Sequence, residues 1–125
     1  VWLQPPGWVT RMVARHYQPV HVPAVVEPAE ALDVSAKRSD DHRTLVMQVV
    51  NIAGKPVAAE IRLEGFAPTR TTAAVAELAG ALETINTAEV PDRLVPRREQ
   101  WTHGLANGAI RRAFAPHSVT VIRFE

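Results

Sequence analysis

The spacing of apolar residues changes at Pro19, and this change restricts the fold more than any other feature of the sequence. Before Pro19, apolar positions recur every three to four residues, as in one stripe along a helix: Trp8, Val9, Met12, Val13 and His16. Proline cannot continue a helix, so the pattern predicts a helix over about residues 7–17. A helix of about ten residues is marginal in water and needs a surface to pack on.

After Pro19 apolar and polar residues alternate, which is typical of strands. We predict strands within 32–36, 44–50, 59–63, 71–78, 110–114 and 118–124, a hairpin loop over 51–56 with Gly54 at positive φ, and a last hairpin around 115–117. Residues 86–98 contain two prolines and predict a long ordered loop. The predicted fold is mainly β, an antiparallel β-sandwich of jelly-roll or Greek-key type with one N-terminal helix.

Composition limits the classes of function. The 125 residues suit one domain, and the net charge of +1 provides no field for nucleic acid. No apolar run approaches the roughly 18 residues needed to cross a bilayer. The absence of cysteine excludes thiolate chemistry. We therefore expect no nucleic-acid partner, no membrane partner and no cofactor. The opening Val1-Trp2-Leu3-Gln4-Pro5 lacks an initiator methionine and indicates a piece cut from a longer chain.

A small hydrolase is the first catalytic hypothesis, and the sequence argues against it. Glu60 and Glu64 share a strand face, but four residues place them about 13 Å apart, beyond the spacing of either class of glycosidase. We expect a solvated face interleaved with Arg62 instead. No histidine lies in a metal-binding pattern and no serine in a nucleophile motif. We therefore predict no catalytic residue and no metal ligand.

Aromatic side chains leave one binding hypothesis open. Trp2 and Trp101 lie outside the helical stripe and could stack on sugar rings. A free-standing carbohydrate-binding module using these two residues is therefore the alternative function.

Five segments together resemble the C-terminal domain of the α-L-arabinofuranosidases of glycoside hydrolase family 51. They are QPPGWVTRMVARHYQP (4–19), LVMQVVN (45–51), ELAG (77–80), NTAEVPDRLVPR (86–97) and PHSVTVIRFE (116–125). Their order and spacing cover essentially the whole chain.

The resemblance implies an accessory role within a larger enzyme. In this family a (β/α)8 barrel carries two catalytic glutamates, and a C-terminal sandwich packs against it. Residues 1–20 would then be the remnant of the last barrel element, and residues 21–125 the sandwich. No position here matches either glutamate motif. The parent would be a retaining enzyme that removes terminal α-L-arabinofuranosyl residues from arabinose-containing polysaccharides.

The expected partner is the catalytic barrel of the same parent chain, and the parent could also form a homo-oligomer. The resemblance further implies that a strand from the parent's N-terminus completes the sandwich, which would leave an unpaired edge here. We expect the helical stripe and the residue that follows it to face the barrel: Trp8, Met12, Val13, His16 and Tyr17.

Overall fold

A single helix precedes eight antiparallel strands in the computed structural model, which describes residues 2–28, 31–80, 84–105 and 108–125. The elements are α1 (Pro5–Arg15), β1 (Val20–Val22), β2 (Asp33–Arg38), β3 (Leu45–Asn51), β4 (Val57–Arg62), β5 (Thr72–Ala79), β6 (Arg97–Thr102), β7 (Ala109–Phe114) and β8 (Ser118–Phe124). The helix begins with prolines, whose fixed φ suits its first turn. The prediction of a mainly β sandwich with one N-terminal helix is confirmed.

The strands form two sheets of unequal size. Six strands form one sheet in the order β1-β2-β3-β8-β5-β6, and β4 and β7 form a two-stranded sheet over it. Between the two sheets lies the inner core, whose buried residues include Met47, Val49, Ile61, Val75, Ile110, Phe114, Ile122 and Phe124. The strand β8 pairs with both β3 and β5, so the last strand in the sequence lies at the centre of the larger sheet.

Both predicted hairpins are wrong. β3 pairs with β2 and β8, whereas β4 pairs with β7, so residues 52–56 cross from one sheet to the other. Residues 115–117 cross back in the same way. Turn residues show that the chain reverses direction, but they do not show which strand the following strand will pair with. Each of these two reversals is an arch between the sheets. Gly54, in the first arch, does not have the predicted positive φ. In the second arch His117 has a φ of 48°.

Asn51 joins the two arches. Its side-chain amide donates hydrogen bonds to the carbonyl oxygens of Lys55 at 3.0 Å, Phe114 at 3.2 Å and Ala115 at 3.0 Å. Its side-chain oxygen accepts a bond from the amide of Ala53 at 3.0 Å. The Asn51 side chain is 1% exposed, and its hydrogen bond to the Phe114 carbonyl is fully buried.

Two strands were not predicted. β1 is three residues long, and β6 falls at the end of the segment 86–98 that we expected to be a loop. β6 is an edge strand on which five of six residues are exposed or charged, so it has no apolar alternation for a sequence pattern to detect. The weak strand prediction over 71–78 is confirmed by β5, whose alanines lie in the middle of the sheet.

Candidate functional site

The outer face of the larger sheet carries the helix and is the candidate site. Met12 is 3% exposed and packs on a set of sheet residues that we call the outer cluster: Val46, Ala76, Leu78 and Val121. Trp8 and Val9 pack against the same cluster, because they lie four and three residues before Met12 on one side of the helix. The helix is therefore attached to this chain's own sheet.

The residues predicted to face a barrel divide into two groups around α1. Trp8, Met12 and His16 follow each other at four-residue intervals along the side that packs on the sheet. Met12 in particular is covered by the sheet and has no surface left for another domain. Val13 is half-buried and Tyr17 is 68% exposed.

Val13 belongs to a second side of the helix, whereas Tyr17 follows the helix in the chain. Positions spaced as i, i+4, i+7 and i+8 align along one face. Here they form what we call the outward stripe, which contains no charged residue: Pro6, Thr10, Val13 and Ala14. The sequence pattern alone did not distinguish the outward stripe from the side of the helix that faces the sheet.

His16 lies where the helix ends against the sheet. Its backbone amide donates a hydrogen bond to the carbonyl oxygen of Val13 at 3.2 Å, and its Nδ1 is buried with no hydrogen-bond partner in the described structure. Burial of the ring lowers the pKa of His16 below its usual value, and the positive charges of Arg123, Arg98 and Arg15 lower it further. The imidazole is therefore held in its neutral form.

Asn86 anchors the segment that leads into the helix, and sequence reasoning did not identify it. Its side chain donates hydrogen bonds to the carbonyl oxygens of Leu3 at 2.7 Å and Leu94 at 2.9 Å, and accepts one from the amide of Leu94 at 2.8 Å. Its own backbone bonds to the Gln4 side chain at both the amide and the carbonyl. A lone asparagine between strands is an ordinary turn residue, so nothing in the sequence marked it as a buried anchor.

The two candidate sugar-stacking residues lie in different surroundings. Trp2 is 43% exposed, and its indole nitrogen donates a hydrogen bond to the carbonyl oxygen of Asn86 at 3.2 Å. Trp101 packs against the inner core, with the guanidinium of Arg112 at 4.7 Å from its ring centroid and Phe124 at 6.4 Å. Sugar stacking needs an open ring face. The structure does not bring the two tryptophans together, and stacking on them stays a prediction.

The ion pairs of Glu60 lie on the surface, whereas the side chain of Arg112 is only 13% exposed. Glu60 forms ion pairs with Arg62 at 2.6 Å and Arg111 at 3.8 Å, in agreement with the expected solvated face. Arg112 pairs with Glu99 at 2.9 Å. Within the described ranges, no three histidines, aspartates or glutamates lie close enough to hold a metal ion. In the same ranges no helix has the length and hydropathy to cross a membrane.

Comparison with known proteins identifies the family of this fold. The α-L-arabinofuranosidase C-terminal domain family matches residues 1–118. The α-L-arabinofuranosidase of Thermotoga maritima, solved with arabinose, is 25% identical with a TM-score of 0.79 over 99% of this chain, and the match covers 29% of that chain.

Two further solved enzymes are similar. A family 51 enzyme from Thermotoga petrophila is 25% identical with a TM-score of 0.78, over 99% of this chain and 29% of its own. One from Bifidobacterium longum is 21% identical with a TM-score of 0.72, over 99% and 26%. No curated protein sequence matches. The chain thus spans less than a third of these enzymes, and it belongs to the family of α-L-arabinofuranosidase C-terminal domains.

Proposed function

We propose that this chain is the non-catalytic C-terminal sandwich of a longer α-L-arabinofuranosidase and that α1 attaches it to a catalytic barrel. The family match and the share of the solved enzymes that the chain covers support this proposal. In it, residues 1–20 end the barrel and residues 21–125 form the sandwich. The barrel would remove terminal α-L-arabinofuranosyl residues, with retention of configuration, from arabinose-containing polysaccharides.

The observation that carries the proposal is the outward stripe of α1. One side of the helix is already buried on the sheet through Met12, yet the other side presents Thr10 and Ala14 to solvent without a charge between them. An ordinary surface helix has one apolar side and one charged side. A helix with two uncharged sides is suited to lie between two packed bodies.

The acids of this chain support an accessory role. A retaining glycosidase needs two carboxyl groups about 5 Å apart, one to protonate the leaving group and one to attack the sugar. The two carboxylate oxygens of Glu60 are paired with Arg62 and Arg111 on an exposed face. We therefore expect the 125-residue chain alone to release no arabinose from an aryl α-L-arabinofuranoside; measurable turnover would contradict the proposal.

Ala14→Glu tests the attachment. Ala14 is exposed here, and glutamate is a good helix former, so in the 125-residue chain we expect a change within about 0.5 kcal/mol. In the longer polypeptide the same substitution would bury an unpaired charge and lower the unfolding temperature by several degrees. The short chain is the matched control, and calorimetry of both provides the comparison. Equal, small effects in the two proteins would refute the attachment through this stripe.

Self-association of the longer polypeptide stays a prediction, which analytical ultracentrifugation would measure directly.

A further inference from the structure

Four cations from four different elements gather around the C-terminal end of α1. They are Arg15 on the helix, Lys37 on β2, Arg98 on β6 and Arg123 on β8, and together we call them the basic surface. The register of the strands fixes three of them on the outer face. Lys37 lies opposite Val46 and Val46 opposite Arg123, while Arg98 lies opposite Ala76 of the outer cluster.

The strand spacing gives the size of the basic surface. Lys37 and Arg123 are two strands apart, or about 10 Å at the usual spacing of about 4.8 Å between strands. β6, which carries Arg98, lies two strands beyond β8 on the other side. The cations therefore span the sheet from β2 to β6, and the end of α1 lies above them, with the Tyr17 ring centroid 5.7 Å from the Lys37 ammonium.

The basic surface has an excess of positive charge. Arg123 forms an ion pair with Glu125 at 3.1 Å. In the part of the chain that the structure describes, the other three cations form no ion pair. The pKa of His16 is lowered first by burial and then by the positive charges of Arg123, Arg98 and Arg15, which agrees with this excess. The negative end of the helix dipole offsets only part of such a field.

We propose that the basic surface binds carboxylate side chains on the domain that precedes α1 in the longer polypeptide. The inference rests on the proposed function, and charge complementarity selects the occupant. A protein surface fits better than a polyanion because the Lys37 ammonium lies beside the ring of Tyr17, which is 68% exposed and offers an apolar contact. Glutamates and aspartates, each next to apolar neighbours, would match this mixture.

A hexaglutamate peptide probes the surface in the 125-residue chain. We expect saturable amide shifts in NMR spectra at Arg15, Lys37, Arg98 and Arg123, with binding weakened at least about tenfold between about 0.02 and 0.5 M salt. Arg98→Glu should weaken the binding to a similar degree. Arg43→Glu is the matched control, since Arg43 is an equally exposed arginine on the β2–β3 turn. Shifts absent from these residues, or equal effects of the two variants, would overturn the proposal.

Two further measurements separate the proposal from its alternatives. An oligothymidylate with the same charge should bind the basic surface more weakly than hexaglutamate; tighter binding would make it a phosphate-binding surface instead. In the longer polypeptide, Arg98 should be protected from phenylglyoxal while Arg43 reacts as in the short chain. An unprotected Arg98 beside a strong effect of Ala14→Glu would reject the basic surface and leave the proposed attachment standing.

Discussion

The two faces of the larger sheet are closed in different ways. The inner face is covered by a second sheet, and the side chains between the two sheets include Ile122, Phe124 and Phe114 of β7, each at most 1% exposed. The outer face is covered by one helix and by Leu94, and the helix has a single fully buried residue, Met12. Beyond the helix the outer face presents Lys37, Arg98 and Arg123 to solvent or to a partner.

Because of this difference, we expect the inner face to determine the stability of the domain and the outer face to attach it to another domain. Closely packed apolar side chains account for most of the free energy of folding, so the inner core holds the domain together. The outer face buries less apolar surface and mixes it with charge, as interfaces between domains do. Substitutions on the two faces should therefore differ in size and in the property that they change.

Phe114→Ala should have the largest effect. Removing a phenyl group from the inner core costs about 3–5 kcal/mol, since the two sheets cannot move together to fill the cavity. Urea denaturation of the 125-residue chain measures this loss. Tyr17→Ala on the outer side is the control and should change the free energy of unfolding by no more than about 0.5 kcal/mol. Equal losses in the two variants would remove the distinction between the faces.

Asn51→Ala should come next, at about 2–3 kcal/mol. The substitution removes the Asn51 donor from the carbonyl oxygens of Lys55 and of the buried Phe114. The Ala115 carbonyl keeps its bond from the Ser118 hydroxyl at 2.7 Å. Asn86→Ala provides the comparison on the outer side, because Asn86 is as buried but joins the approach to α1 to the backbone of Leu94. It should speed proteolysis near the helix more than it lowers the urea midpoint. The reverse order would contradict the assignment of the two asparagines.

Met12→Ala should lower the free energy of unfolding by about 2 kcal/mol, near the lower limit for replacing a buried methionine by alanine. The helix can shift toward the sheet and fill part of the space, unlike the residues between two sheets. Far-ultraviolet circular dichroism should show a loss of helical signal before the strands unfold. A single transition with the loss seen for Phe114→Ala would mean that α1 folds as part of the inner structure.

Acid should weaken the outer side slightly, through His16. Its pKa is lowered in the folded state, so the unfolded chain binds a proton more readily. The stability that neutral His16 permits is present above pH 6.5, the ordinary pKa, and is lost as the pH falls below it. Wild type should therefore lose more stability than His16→Gln between pH 7.5 and about 5. His21→Gln, at an exposed site, should behave like wild type; identical profiles for all three proteins would exclude the effect.

Much of the fold follows from the sequence, and the pairing of strands does not. The alternation of Ala59, Ile61 and Leu63 predicts a strand with one buried side, and that side faces the inner core. Which strand lies beside it depends on contacts between residues far apart in the chain. Loops of 52–56 and 115–117 have the composition of hairpin turns, so local chemistry favoured the wrong partner in both cases.

The candidate site was predicted in part. The helix and its need for a surface were evident from the stripe, but a linear pattern does not show which of two bodies covers which side. The structure assigns Met12 to the sheet. The basic surface could not be predicted, because Arg15, Lys37, Arg98 and Arg123 come together only through the order of strands in the sheet.

The central position of β8 has a consequence for synthesis. β3 and β5 do not pair with each other, because β8 lies between them and pairs with both. About 70 residues separate the end of β3 from the start of β8, which a ribosome makes in on the order of 4–14 s. During those seconds β3 exposes both of its apolar faces, so the nascent chain would be a ready client for chaperones. The larger sheet is therefore completed only after β8 has been translated.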